Sequence, residues 1–345
     1  MKKTFSKVTF SLLLLCICLI ECCKKSNPTE VSNSNQNEIH SWTKMTNGLP
    51  TNTAYTIASI GSKLYIYAGN KLFSSSDNGG SWIPIGTGLP DSSWISGIAG
   101  INNNLAAATE GSGVFTSTDF GVTWLKSVNN GLDAGAQSVH SILMTSKFLF
   151  IGAGNDASIY KSSDFGISWV SVSNGFPVTT EEYFPRIYTL VGNDAILYAC
   201  PFASGIYFSN NDGSNWQSMN EGLPYQPYVS NFALSDSFYF ATISSSSIVD
   251  QGLYRRAFDN SNWKKIADTV TINFPNFVVT QGSTVLLSTG QGMDISFDSG
   301  NNWSSCNQGL DKDYTTLAEF HYALIQNDYV FATSDYRAVW RYSLK

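Results

Sequence analysis

Ser75-Ser-Asp77-Asn-Gly79-Gly-Ser81-Trp82 is one copy of a pattern, Ser-x-Asp-x-Gly-x-Ser/Thr-Trp, that recurs along the 345-residue chain. Further copies begin at Ser117 (with Asp119, Gly121, Thr123 and Trp124), Ser162 (with Asp164, Gly166, Ser168 and Trp169) and Ser296 (with Asp298, Gly300 and Trp303). Two copies have decayed: Asn211 holds the aspartate position before Trp216, and Phe258 holds it before Trp263. With Trp42 included, successive tryptophans are 40 to 47 residues apart, the period of a four-stranded propeller blade. Helix-pair solenoids repeat on the same scale. The intervening segments exclude them, being short β-rich runs such as Lys63-Leu-Tyr-Ile-Tyr-Ala68 and Lys147-Phe-Leu-Phe-Ile151 separated by Gly, Asn, Asp and Ser. No stretch beyond the leader shows sustained helical periodicity.

A second signature follows the tryptophans: Asn47-Gly-Leu-Pro50, Thr87-Gly-Leu-Pro90, Asn130-Gly-Leu132, Asn174-Gly-Phe-Pro177, Glu221-Gly-Leu-Pro224 and Gln308-Gly-Leu310. It closes one unit and opens the next. Each unit therefore reads as strand A (Tyr55 to Ile60 in the first), strand B (Leu64 to Ala68), strand C (Lys71 to Ser75), the repeat turn, and strand D from the tryptophan. Ala338-Val-Trp-Arg-Tyr342 matches a strand C with no strand D after it, while Trp42 to Pro50 is a strand D with nothing before it. Together the two fragments complete one blade, so an all-β, seven-bladed propeller of four-stranded antiparallel blades is expected over residues 41–345. Closure of this kind leaves no free sheet edge at the chain ends.

In the repeat turn the Asp and Ser/Thr oxygens can accept backbone N–H groups, the glycine tolerates positive φ, and the tryptophan anchors the turn in apolar packing. The residues Asp77, Trp82, Asp119, Trp124, Asp164, Trp169, Asp298 and Trp303 are accordingly expected to be structural. Truncating such a tryptophan to alanine should cost about 3–5 kcal/mol.

The turn resembles the Asp-box, or BNR, repeat of sialidases, sortilin-type receptors, xyloglucanases and photosystem II assembly factors, and the resemblance covers nearly the whole mature chain. It implies the propeller fold and leaves the activity open, because the box is shared by proteins of unrelated function. A sialidase-like site would need three convergent arginines to grip a carboxylate. Of Arg186, Arg255, Arg256, Arg337 and Arg341, only Arg186 and Arg337 fall outside strand C runs. The sialidase Phe-Arg-Ile-Pro motif is replaced by Phe184-Pro-Arg-Ile187. Xyloglucanase-like enzymes use two facing propellers where this chain has one, and the assembly factors use a basic patch where this chain is acidic.

Lys2, Lys3 and Lys7, an apolar run from Phe10 to Ile20, and Cys22-Cys23-Lys24-Lys25 form a secretory leader resembling those of bacterial lipoproteins. Residues 1–22 are read as the signal peptide. Cys23 is the expected acylated residue, with Cys22 the alternative. Residues 23–40, rich in Asn, Ser and Lys, are expected to be a disordered tether. The propeller would then be an exported envelope lipoprotein on the outer membrane or cell surface, held to the membrane through its lipid anchor.

The net charge is −6, and loss of Lys2, Lys3, Lys7 and Glu21 with the leader takes it to −8. Nucleic acid is a poor partner for such a surface. No cofactor signature and no metal-ligand spacing of Cys or His is present. Cys200 and Cys306 read as unpaired, buried hydrophobes, and His140 as a satisfied structural histidine on an inner strand A. A monomer is expected.

Antiparallel blades send the D-to-A and B-to-C connections to one face of the ring and the repeat turns to the other. The first face, with longer and more varied loops, is the default binding surface. Its carboxylates Glu110, Glu181, Glu182, Asp311, Asp313 and Asp335 are candidates for a glycosidase pair, which must stand about 5–5.5 Å apart if retaining and about 6.5–9.5 Å if inverting. Its Trp94, Tyr183, Arg186, Tyr225, Tyr228, Tyr314, Tyr336 and Arg337 are candidates for ligand binding. Aromatic rings beside hydrogen-bonding acids suit sugar faces and equally suit a protein interface. The expectation is a non-enzymatic module for a glycan or envelope-protein partner, with a glycoside hydrolase as the alternative.

Overall fold

The computed structural model describes residues 40–50, 54–91, 94–128, 130–154, 157–176, 186–244, 249–259, 261–266, 276–290, 292–310, 320–334 and 338–345. They form seven four-stranded antiparallel sheets. Strands A to D are Ala54–Ile60, Lys63–Ala68, Lys71–Ser75 and Ile83–Ile85 in blade 1. Blade 2 has Ile95–Ile101, Asn104–Thr109, Gly113–Ser117 and Leu125–Lys126; blade 3 has Val139–Met144, Leu149–Ala153, Ser158–Ser162 and Val170–Ser171. Blade 4 has Ile187–Gly192, Leu197–Pro201, Tyr207–Ser209 and Gln217–Ser218; blade 5 has Tyr228–Leu234, Phe238–Ser244, Gly252–Ala257 and Lys264–Lys265. Blade 6 has Val278–Gln281, Thr284–Thr289, Gly292–Ser296 and Ser304–Ser305. Blade 7 takes strands A to C from Phe320–Gln326, Tyr329–Ser334 and Ala338–Ser343, and strand D from Trp42–Lys44, with Trp42 opposite Tyr342. The expected closure by the two chain ends is thus present. Each strand A packs on the next around a complete ring, which makes these strands the lining of the central channel. All seven sheets lie within Trp42–Ser343, inside one compact unit, Ile39–Lys345, so the ring needs nothing before it to close.

The second signature is the lock between blades. The Trp82 amide donates to the Asn47 carbonyl at 2.9 Å. The next residue, Gly48 (φ +88°), is so close that a Cβ would lie 2.2 Å from the Trp82 carbonyl oxygen. The same pairing joins Gly88 to Trp124, Gly131 to Trp169, Gly175 to Trp216, Gly222 to Trp263 and, across the chain ends, Gly309 to Trp42. The apolar residue after the glycine packs on an aromatic of the following strand C: Leu132 joins the cluster of Tyr160, Leu223 that of Tyr254, and Leu310 that of Trp340. The indole N–H groups of Trp82, Trp216 and Trp263 reach back to carbonyls of the preceding blade, those of Met45, Val172 and Met219.

The seam between blades 5 and 6 departs from this rule. The signature is missing after Trp263. Asp294 occupies the strand C position filled elsewhere by Phe73, Phe115, Tyr160, Tyr207, Tyr254 and Trp340. Burial raises the Asp294 pKa. Trp303 is half-buried, unlike the other six repeat tryptophans, and the core here is the small cluster of Phe240, Leu253, Val278, Val285 and Leu287.

In the repeat turn, Ser75 Oγ accepts from the Gly79 amide (2.9 Å) and donates to Asp77 Oδ1 (2.7 Å), while Asp77 also accepts from the Ser81 amide and hydroxyl (2.9 and 2.6 Å). The same arrangement recurs around Asp119, Asp164 and Asp298. These hydrogen bonds, chiefly from the Ser81, Thr123, Ser168 and Asn302 side chains, hold all four carboxyls at a pKa of about 2. Asn211 still accepts from Ser209 and the Asn215 amide (2.8 and 3.0 Å). In the copy bearing Phe258, Arg256 takes the serine position and bonds the Met219 carbonyl instead (2.9 Å). Cys200 and Cys306 are free and buried.

Candidate binding site at the channel mouth

Six strands A begin with the same irregularity. In blade 3, Val139 pairs with Ala153 and Ser141 with Gly152, leaving His140 as an extra residue. The equivalent bulged residues are Tyr55, Ser96, Tyr188, Ser230 and His321. A bulge re-aims a side chain and sharpens the local twist. Here it also frees neighbouring polar groups to tie the ring together. Thr56 donates to the Ile95 carbonyl (2.9 Å), Ser96 to that of Val139 (2.5 Å) and Ser141 to that of Ile187 (2.7 Å).

All of these bulges lie at the end of the channel remote from the repeat turns, on the face expected to bind. An aromatic arc runs along it across three blades. The His140 and Tyr188 ring centroids are 5.9 Å apart, Tyr188 and Phe202 6.4 Å, and Phe202 and Tyr228 5.0 Å. Burial and then the nearby Tyr188 raise the Tyr228 phenol pKa.

Charge gathers at the same place. His140 is 7 % exposed, and neither ring nitrogen makes a hydrogen bond. Burial, then the Arg186 guanidinium, pushes its pKa down, against opposing contributions from Glu110 and the Gly154 backbone. The reading of His140 as a satisfied structural histidine holds for its burial and not for its bonding: neither ring nitrogen makes a full hydrogen bond, although the Gly154 backbone stands close enough to act on it. Glu110 also raises the pKa of Tyr322, after burial as the first cause. Tyr322 belongs to blade 7 and Glu110 to blade 2, which are not adjacent, so a shared channel mouth is what brings them within range. Tyr322 is 43 % exposed although protein surrounds it, as befits a side chain in a channel.

Of the residues picked out in the sequence, Glu110, Arg186 and Tyr228 converge here. Trp94 is on the same face, set against Tyr67 (6.2 Å, edge to face), and its carbonyl accepts from the Glu110 amide at 2.9 Å. Tyr225 stands apart at 90 % exposure. Arg255, Arg256 and Arg341 lie on strands C. Glu181, Glu182, Tyr183, Asp311, Asp313, Tyr314, Asp335, Tyr336, Arg337 and Cys23 lie outside the described residues. His140, Tyr188, Phe202 and Tyr322 were missed. For His140 and Tyr188 the signal was present in the repeated start of strand A, where Val139-His-Ser141 and Ile187-Tyr-Thr189 put a ring at the bulged residue, and in Phe320-His-Tyr322 the tyrosine follows it.

Among the described residues, such a mouth can stack flat rings, exchange hydrogen bonds through phenols, and bring together the Glu110 carboxylate and the Arg186 guanidinium. Among the described residues no three His, Cys, Asp or Glu side chains are grouped to hold a metal ion.

The comparisons agree with this architecture. Residues 20–136 match the model of the DUF6242 beta propeller domain. No curated protein matches the chain. Among solved structures, YCF48 bound to D1 peptide is similar at 18 % identity and a TM-score of 0.68, over 88 % of this chain and 97 % of that one. YCF48 from Cyanidioschyzon merolae is similar at 13 % identity and 0.66, over 88 % and 98 %. The GH74 xyloglucanase from Xanthomonas campestris is similar at 16 % identity and 0.64 over 89 % of this chain, which spans only 54 % of the enzyme. At these identities the likeness is one of fold. The chain is a seven-bladed β-propeller, each blade a four-stranded antiparallel sheet, and its first third carries the DUF6242 beta propeller match.

Proposed function

We propose that this protein is a lipid-tethered propeller of the cell envelope that binds a glycan or protein partner at its channel mouth and performs no chemistry of its own. The observation that carries the reading is the arc His140–Tyr188–Phe202–Tyr228 beside Glu110 and Arg186. The exposed Tyr188 ring, with half-buried Phe202 and Tyr228 beside it and hydrogen-bonding groups nearby, favours stacking of sugar rings or anchoring of a peptide. A similar propeller bound to a peptide supports the protein arm. The GH74 likeness and the carboxylate of Glu110 at the mouth favour glycoside hydrolysis as the second reading. Cys23 is the proposed acylated residue and residues 24–40 the tether, with the propeller monomeric.

The test incubates residues 40–345 with envelope and plant polysaccharides while following both retained protein and released reducing ends. Retention without release, lost in Tyr188→Ala, is expected for a glycan-binding module. Release abolished by Glu110→Gln would replace this reading with the hydrolase. Absence of both directs the search to protein partners by cross-linking in intact cells. Labelling with a radioactive fatty acid, compared between the natural chain and Cys23→Ser, tests the anchor separately.

A further inference from the structure

After its tryptophan, every strand D opens with a residue outside the core. In blades 1 to 3 these are Ile83, Leu125 and Val170, exposed by 63, 76 and 58 %. In blades 4 to 7 they are Gln217, Lys264, Ser304 and Thr43. The repeat turns of blades 2 and 3 add to this set, whereas that of blade 1 holds Asn78 and Gly80. Phe120 and Val122 of blade 2 and Ile167 of blade 3 are exposed, where blade 4 has Asp212 and Ser214 and blade 6 has Ser299 and Asn301. Each turn abuts the tail of the preceding strand D: the Thr87 amide donates to the Val122 carbonyl (3.0 Å), and Asn130 bridges Ser168. Apolar positions therefore continue from blade to blade along one side of the rim. Phe258 and Phe297 are exposed singly elsewhere, which is ordinary for a protein surface.

We propose that this aliphatic arc rests on a lipid surface and orients the propeller so that its channel mouth is turned away from the bilayer. The proposal rests on the reading of residues 1–40 as leader, lipidated cysteine and tether. A 17-residue tether spans at most about 60 Å. It enters the ring at strand D of blade 7, directly beside blade 1, where the arc begins. Tethering at that range holds the rim at a high effective concentration against the membrane, so weak contacts suffice. The side chains are the kind that lipid accepts. Protein hot spots are rich in Trp, Tyr and Arg and poor in Leu and Val, and the arc is Ile, Leu and Val with one Phe. A second copy of the chain is disfavoured, since it would set Asp77, Asp119 and Asp164, ionised in the adjoining turns, against their own images.

Because Cys200 and Cys306 are buried, a single added surface thiol can be labelled alone. Leu125→Cys and, on the opposite face, Tyr225→Cys would each carry an environment-sensitive NBD dye on the acylated chain in phosphatidylcholine vesicles. The expected result is a blue shift and quenching by doxyl-labelled lipid at position 125 and neither at 225, with the 125 signal weakened by Ile83→Ser with Val170→Ser. An unshifted dye at 125, or equal shifts at both positions, overturns the proposal. Residues 40–345 with the same dyes at high lipid separate it from the anchor. A shift specific to 125 without any acyl group supports the arc whatever becomes of Cys23, and its absence there counts against the arc even if Cys23 is acylated.

Discussion

On the turn face, the Ser117 hydroxyl, Asp119 carboxylate and Thr123 amide and hydroxyl satisfy one another at 2.6–2.9 Å. On the mouth face, His140 is buried with neither ring nitrogen bonded. Both faces belong to the same repeat. The turn face ties three blades to their neighbours with cations as well: Lys161 donates to the Asp212 carbonyl, Arg255 to that of Ser299 and Arg341 to that of Asn78 (3.1, 2.6 and 3.0 Å), stacked over Phe148, Phe238 and Tyr329 respectively. The mouth instead gathers aromatic and charged groups from non-adjacent blades, one of them left unsatisfied. An unpaired buried polar group costs free energy, but Arg256 Nε and Gln326 Oε1 are left unbonded on the turn side as well, so what sets the mouth apart is its gathering of rings and charges, not an unpaired group alone.

The contrast should break most severely at the locks. Trp169→Ala is expected to destabilise by about 3–5 kcal/mol, read as a shift in the urea midpoint. The half-buried Trp303 should cost clearly less, and an equal cost would dissolve the distinction drawn at the blade 5/6 seam. Gly131→Ala places a Cβ 2.1 Å from the Trp169 carbonyl oxygen, so a loss on the order of 2–4 kcal/mol is expected from clash and strain together. Gly111, on the mouth face, has a similar φ of +89° but open space around it, and its alanine variant should lose only about 1–2 kcal/mol.

Acid provides a gentler test. Four turn carboxyls sit at about 2 when folded against an ordinary 3.8. The unfolded chain therefore binds more protons between these values, and stability present above about pH 4 is lost as pH falls toward 2. Asp119→Asn with Asp164→Asn should fold, as Asn211 shows an amide can close the turn, and its unfolding midpoint should fall less steeply over this range.

The smallest effect is expected at the mouth. His140→Phe keeps a ring against Tyr188 and removes two unbonded nitrogens, so stability should change by about 0–1 kcal/mol, in the stabilising direction. Because the folded imidazole is held below its ordinary 6.5, the unfolded chain takes up a proton that the folded chain resists. Wild type should lose stability as pH falls below 6.5, and the variant should lack that component. A marked loss at neutral pH would mean that His140 is satisfied after all.

The fold could be read from the sequence because its determinants are local and repeated. Gly48 and Trp82 are 34 residues apart, but the clash that demands glycine there recurs at every signature, so the motif announces itself. The mouth was legible only in part. Glu110 and Arg186 stand in connections and Tyr228 at the first residue of its strand A, where alternation says little and chemistry stands out. His140, Tyr188 and Tyr322 stand in strands A, where period-two reading assigns a side chain to the core, and one extra residue per strand overturns that assignment. Phe202 follows strand B and acquires meaning only when blades 4 and 5 bring Tyr188 and Tyr228 to either side of it. Asp294 could have been noticed as the exception among seven aligned aromatic positions, but its partner, the missing signature after Trp263, gives it weight only once the seam is seen.

The most direct test of the account compares polysaccharide and envelope-protein retention by the natural ring, by Tyr188→Ala with Tyr228→Ala, and by Asp119→Asn with Asp164→Asn, after confirming that all three melt as folded proteins. The account predicts that retention is lost in the mouth variant and kept in the turn variant. Retention kept in the mouth variant and lost in the turn variant would place the binding surface on the opposite face and contradict it.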